Sequence, residues 1–256
     1  MGLMGCNPSL RGFKGLGFGR TLPAPFSFDN AIERAATNNN SDNVGFIPNL
    51  PNPIPNQWSL QFWVKQRTVK ADDNLKAVFQ IRTTGNSSFV KVRGFGGWLI
   101  NGGIGSKSGG ITLDVWNLVT LTFDMSAGTY AFYINDGTPI TGTFTAEPNT
   151  TATVYFFWSR LADGSDTGIS TGVIDEVRVY NKIQTQALHL LAYNSGIGEN
   201  PPETEFLRCW YKCQAIENLD FSTLQDGSDM RNGLRDYSGN NKHSSNISGS
   251  MVFTNT

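Results

Sequence analysis

Charge of one sign is missing from this chain of 256 residues: 20 Lys and Arg stand against 21 Asp and Glu, for a net charge of −1. Without a one-signed field, neither a nucleic acid nor an anionic membrane surface is an expected partner. Long apolar runs are missing too, and none approaches the roughly 18 residues needed to span a bilayer. The opening residues MGLMGCNPSLRGFKG have neither the charged start nor the apolar stretch of about 7–15 residues of a secretion signal, so the superficial lipoprotein box Leu3-Met4-Gly5-Cys6 is discounted. Cysteine is scarce and odd in number: Cys6, Cys209 and Cys213. On one strand Cys209 and Cys213 would share a face about 13 Å apart, too far to bridge. Reduced thiols and no export signal give the expectation of a protein made inside a cell and either kept there or assembled there into something larger.

What the chain does contain points to sheets. Hydrophobic residues make up 39% and aromatics 12%, enough for a real core, while only 16% are charged and 28 are glycine, a balance that favours strands joined by tight turns. The length suits one large all-β domain or two small ones, and one domain with appendages is the expectation. Residues 1–25 read as an arm. Its first twenty residues carry Arg11, Lys14 and Arg20, no acid, and the apolar handles Leu10, Phe13, Leu16 and Phe18. A disordered tail and an ordered assembly arm are both open for it. Pro48, Pro51, Pro53 and Pro55 then forbid regular structure until a core begins near Trp58.

From there the pattern has period two. Trp58, Leu60, Phe62 and Val64 alternate with Ser59, Gln61 and Lys65, and Val119, Leu121 and Phe123 with Thr120 and Thr122, as in strands with distinct faces. Tyr130, Phe132 and Ile134 continue the theme. Asn135-Asp136-Gly137 supplies a tight hairpin before Ile140 and Phe144 run back. Val154 to Trp158 reads as a strand covered on both faces, and Val173 to Tyr180 as another. One short helix is expected, capped by Thr185, with Ala187, Leu188, Leu191 and Ala192 as its apolar stripe and Gly196 as its end. Gly198 to Glu205 reads as a linker before the strand-like Phe206 to Lys212.

Four segments, taken in this order, resemble the laminin-G-like and pentraxin-like branch of the concanavalin A-like jelly rolls. They are Phe26-Ser27-Phe28-Asp29; Trp58 to Lys65; Trp116 to Phe123 with Tyr133-Ile134-Asn135-Asp136-Gly137; and Ile174-Asp175-Glu176-Val177-Arg178-Val179-Tyr180-Asn181 followed by the helix. The resemblance implies an all-β, antiparallel two-sheet jelly-roll sandwich with one short helix, here over residues 26–256. Trp210-Tyr211-Lys212 and Asp236-Tyr237-Ser238-Gly239-Asn240 look like the piece that usually stands first in such domains, yet they stand last. About 50 residues are too few for a second sandwich, so residues 198–256 are expected to return to the same one, as in a circular permutation.

The chemistry is spare. Polysaccharide-cutting relatives carry alternating acids along one strand, whereas Asp175 and Glu176 are adjacent and would point to opposite faces, so no catalytic residue is expected. His189 and His243 have no serine or cysteine motif beside them, which favours surface or hydrogen-bonded roles. Asp175 is expected to share a face with Val173, Val177 and Val179. Buried there, it needs a hydrogen-bonding partner or a structural Ca²⁺, and the resemblance makes Asp236 the second candidate ligand. For a sugar, the loops of Trp98 and Asn101 and of Arg160, Asp163 and Asp166 offer an aromatic ring with planar polar groups, although turn-making by Asp163 and Asp166 is the leading alternative for the second loop.

A lectin-like domain with unpaired cysteines, no export signal and an apolar Gly-rich arm is the combination expected of a bacteriophage fibre or capsid decoration. The expectation is therefore a noncatalytic virion structural and adhesion protein, made in the host cytoplasm. Its partners would be further copies of itself, other virion subunits and a cell-surface glycan. The alternative is a glycan-binding module of a bacterial carbohydrate-recognition system.

Overall fold

Alternate positions of the strand around Phe62 settle the core: Trp58, Leu60, Phe62 and Val64 are each at most 1% exposed. The computed structural model describes residues 31–34, 50–66, 77–83, 86–93, 97–100, 107–108, 111–156, 172–196, 198, 200–213, 236–240, 242 and 251–254. For residues 31–34, 77–78, 86–93, 97–100, 107–108, 155 and 251–254 the backbone alone is described. The strands are β1 (Ala31–Arg34), β2 (Gln57–Gln66), β3 (Ala77–Thr83), β4 (Asn86–Arg93), β5 (Gly97–Ile100), β6 (Lys107–Ser108), β7 (Asn117–Asp124), β8 (Thr129–Ile134), β9 (Ile140–Thr143), β10 (Ala152–Phe156), β11 (Gly172–Tyr180), β12 (Leu207–Tyr211) and β13 (Met251–Thr254). The one α-helix among the described residues is α1 (Gln186–Tyr193).

These strands form two antiparallel sheets, the expected all-β sandwich with one short helix. The larger runs β13-β1-β11-β2-β7-β8-β9, with β12 also on β11; the smaller runs β10-β3-β4-β5-β6. Phe62 of the larger sheet meets Phe79 and Phe156 of the smaller edge to face, at 5.1 and 5.0 Å between centroids. Aromatic packing of this kind joins the layers. Along one side of β11, β1 pairs with Gly172–Ile174 and β12 with Val177–Tyr180, so the two short strands lie end to end opposite β2. Leu207–Tyr211 thus sits in the same sheet as β2, and Cys209, Tyr211 and Cys213 enter the inter-sheet core. The proposed opening strand Phe26 to Asp29 and the residue Trp158 lie outside the described residues.

Three local expectations need correction. The first concerns Asp175. Glu176 has φ 51, and the register jumps from Asp175 opposite Trp63 to Arg178 opposite Gln61. Two residues, Glu176 and Val177, therefore face the single Phe62, as in a β-bulge. The extra residue flips the alternation. Ile174, Val177 and Val179 point into the inter-sheet core, while Asp175 and Arg178 share the opposite face with Trp63 and Gln61.

The second concerns the outer face of the larger sheet. Ser59, Gln61 and Thr120, polar positions that alternation assigns away from the core, are fully buried. They line the same sheet face as a second apolar cluster of Trp63, Leu118 and Ala192, joined by Trp116 and Tyr193.

The third concerns α1. Thr185 caps it, accepting from the Leu188 N–H. Its buried residues, however, are His189 and Ala192, with Leu191 60% exposed. A small Ala lets the helix approach Trp63, and a polar His suits the polar strand face below. Asn194, left-handed at φ 43, ends the helix rather than Gly196, because its N–H closes on Leu190 O.

This packing predicts an inverted mutational response on α1. Leu191→Ala should change stability by less than about 0.5 kcal/mol, whereas Ala192→Leu should cost about 1–3 kcal/mol by overpacking against Trp63. Urea unfolding of both variants decides it, and the reverse order would restore the leucine stripe.

Candidate functional site

Arg178 is the starting point, because a guanidinium with 0% exposure can only donate and must find acceptors. Nη2 donates to Glu176 Oε2 at 2.9 Å. Nη1 donates to Gln61 Oε1 at 3.0 Å, which fixes the amide orientation, and Gln61 Nε2 then donates to Thr120 Oγ1 at 2.9 Å. His189 closes the chain: Nε2 lies 2.6 Å from Asn135 O and Nδ1 lies 2.8 Å from Thr120 Oγ1. A carbonyl only accepts, so Nε2 carries the hydrogen. Burial pulls the His189 pKa down to about 4 against a smaller opposing pull from Asn135 O, so the ring is neutral and Nδ1 accepts from the Thr120 hydroxyl. Donation runs one way from β11 through β2, β7 and α1 to the β8–β9 turn.

A second polar cluster finishes the edge at β12. Trp210 N–H donates to Asp236 Oδ1 at 2.9 Å and Trp210 O accepts from Tyr237 N–H at 2.7 Å. Asn240 Nδ2 donates to Leu207 O and Arg208 O. These bonds satisfy main-chain groups that an edge strand would otherwise present to another chain. On the outer face of this strand stand Arg208, Trp210 and Lys212, each half-buried. The Trp210 indole N–H donates to Glu176 Oε2. Lys212 Nζ lies 4.4 Å from the Trp210 centroid and 5.2 Å from that of Tyr237, and the two rings meet edge to face at 6.3 Å.

The described surface includes two shallow hollows. One of about 350 Å³ lies at the β8–β9 turn, lined by Ile134, Asp136, Thr138 and neighbours. The other, of about 300 Å³, is lined by Leu191, Asn194, Asn200 and Pro202.

The residues proposed from sequence are distributed differently. Trp98 lies in β5 opposite Val92 and Lys107, with its backbone alone described. Asn101, Arg160, Asp163 and Asp166, the arm residues Leu10, Phe13, Leu16 and Phe18, and His243 lie outside the described residues. Asp175 is buried and its Oδ1 accepts the Glu176 N–H at 2.7 Å. Asp236 fits a calcium role poorly. Its Oδ1 accepts from Trp210 N and Ser238 N, and its Oδ2 from Ser238 Oγ and Lys242 N, all within 2.9 Å. A cation needs oxygen lone pairs turned toward it, and here donors take those positions. Among the described residues no group of three or more His, Cys, Asp or Glu is placed to hold a metal.

Sequence reasoning missed Gln61, Thr120, Glu176 and Arg178 as a buried unit. The available signal was a polar row on neighbouring strands opposite a helix that carries a His.

Residues 38–187 match a laminin G family model described as the concanavalin A-like lectin/glucanases superfamily. Among solved structures the chain is similar to a proposed carbohydrate binding protein from Bacteroides ovatus, at 15% identity and TM-score 0.58, over 90% of this chain and 61% of that one. It is also similar to a heptameric SAP-like pentraxin from Limulus polyphemus, at 17% identity and TM-score 0.49, over 68% of this chain and 85% of that one. No curated protein matches it.

Two measurements follow from this geometry. The folded His189 pKa, about 4, lies below its ordinary 6.5. Its contribution to stability is therefore full above pH 6.5 and lost as pH falls toward 4, about 3 kcal/mol in all. His189→Gln should remove that part of the slope in urea titrations between these pH values, and an unchanged slope would be inconsistent with a buried neutral ring. Asp236→Ala should cost about 2–3 kcal/mol by stripping charged acceptors from backbone donors. The wild-type melting temperature should stay the same in Ca²⁺ and in chelator, and a rise with Ca²⁺ would overturn the hydrogen-bonded reading.

Proposed function

This chain belongs to the concanavalin A-like lectin/glucanase superfamily, and on that premise we propose that it is a noncatalytic, lectin-like structural and adhesion protein of a virus particle, a bacteriophage fibre or capsid decoration. Among the described residues, the observation that carries the noncatalytic part is the commitment of Glu176, His189 and Asp236 to the scaffold. Glu176 serves Arg178 and Trp210, both His189 nitrogens are used, and both Asp236 oxygens accept from the scaffold. Hydrolysis of a glycoside needs two carboxyl groups about 5–9 Å apart with their protons free to move, and the Glu176 carboxylate is already engaged by Arg178 and Trp210.

The virion part is supported by residues 1–20, cationic, acid-free and set with Leu10, Phe13, Leu16 and Phe18, a composition suited to docking on further copies and other subunits. It is also supported by thiols that need no oxidising compartment. Cys209 and Cys213 are fully buried, and burial pushes the Cys209 pKa up to about 12. The fold likeness to the Bacteroides ovatus protein favours a second reading, a glycan-binding module of a bacterial carbohydrate-recognition system. The two share glycan binding and differ in assembly.

Three readouts test this. A polysaccharide panel should release no new reducing ends, and steady turnover on any member would end the noncatalytic reading. A glycan array should give saturable binding. Deleting residues 1–20 should leave circular dichroism intact and abolish oligomers in sedimentation, and oligomers that survive the deletion would leave only the second reading.

A further inference from the structure

Arg208, Trp210 and Lys212 occupy alternate positions along and just past an edge strand, so their side chains rise from one face over about 13 Å. This is the outer face of the larger sheet, because Trp210 lies opposite Arg178 while the intervening Cys209 and Tyr211 enter the core. Among the described residues neither Arg208 nor Lys212 has a salt-bridge partner, whereas nearby Lys182 pairs with Glu203 at 2.7 Å and Arg178 with Glu176. Two half-buried cations without a counter-charge thus flank an aromatic ring, with Tyr237 at its side.

The ring is held in advance. Its indole N–H is tied to Glu176, the Arg178 guanidinium carbon lies 5.6 Å from its centroid, and its backbone is clamped by Asp236 and Tyr237. A site whose parts are already ordered loses little entropy on binding.

We propose that this strip binds an anionic oligosaccharide, a chain of sugars bearing carboxylate or sulfate groups. The proposal rests on the lectin-like reading above and names its ligand class and its surface. The C–H faces of the sugar rings pack on the exposed parts of Tyr237 and Trp210. Its anionic groups take the Lys212 ammonium and the Arg208 guanidinium, the latter suited to a bidentate carboxylate or sulfate. A single-stranded nucleic acid asks for rings and cations too. The chain's net charge of −1 and the shortness of the strip supply no field to track a phosphate backbone.

The test is titration calorimetry on the full chain with oligogalacturonate, a sulfated galactan oligosaccharide, neutral cellopentaose and a single-stranded oligonucleotide. At least one acidic sugar should bind, weakening about tenfold as salt rises from about 50 to about 500 mM. Lys212→Gln and Arg208→Gln should each weaken binding about tenfold. Both side chains are half-exposed, so their melting temperatures should match wild type and exclude misfolding. Equal binding of cellopentaose, preference for the oligonucleotide, no binding to either acidic sugar, or acidic binding unchanged in the double variant would each overturn the strip. Glycan-array binding that survives in that double variant removes this surface and leaves the lectin-like reading standing, whereas an array blank for every glycan removes both.

Discussion

The buried guanidinium of Arg178 is the constraint from which much of the described architecture follows. A charge taken out of water is tolerated only when partners surround it, and removing one partner of such a pair costs about 3–5 kcal/mol. In an unbroken strand the Glu176 carboxylate and Arg178 would both take the face of Ile174, inside the inter-sheet core. With the bulge at Glu176, left-handed at φ 51, that carboxylate lies 2.9 Å from the guanidinium. The departure from period two is therefore the local feature that turns Arg178 out of the apolar core and onto the polar outer face.

From Arg178 the consequences spread in two directions. Inward along the sheet, a donor-only group dictates the orientation of Gln61, which dictates the role of Thr120, which dictates the tautomer of His189. Outward, the second use of Glu176 is to hold the Trp210 indole. One carboxylate thus couples the seating of α1 to the posture of the most prominent ring on β12. Asp236 performs the matching service for the main chain of that strand, closing an edge that would otherwise invite another strand.

Much of this was legible from residues alone, and the failures share a cause. β2, β7, β8 and the turn at Asn135 follow from alternation and turn chemistry, because the inter-sheet core selects apolar side chains at every second position. The family likeness added the sandwich and the helix that follows β11. Alternation presumes an unbroken strand, so it assigned Asp175 to the face of Val177 and Val179. One inserted residue reversed that. It also presumes that polar means solvated. Gln61, Thr120 and His189 satisfy one another out of water, so the helix docks by His189 and Ala192 while Leu191 faces outward. Trp210 and Tyr237 stood in the sequence as marks of likeness. Their value as a surface appears only once the pairing of β12 with β11 sets Trp210 opposite Arg178.

Why a polar seam should seat α1 is a question of alternatives. An apolar stripe would hold the helix at several rotations and offsets, since hydrophobic contact is non-directional. The seam from Arg178 to Asn135 O favours one arrangement, because a slip of the helix by one residue would leave His189 and the Thr120 hydroxyl buried and unsatisfied together. Ala192 against Trp63 adds a steric limit on the same docking. The helix is therefore positioned by what misplacement would cost more than by what its contacts contribute. The same groups are thereby committed to one another, and at their rim the network holds the Trp210 ring in place.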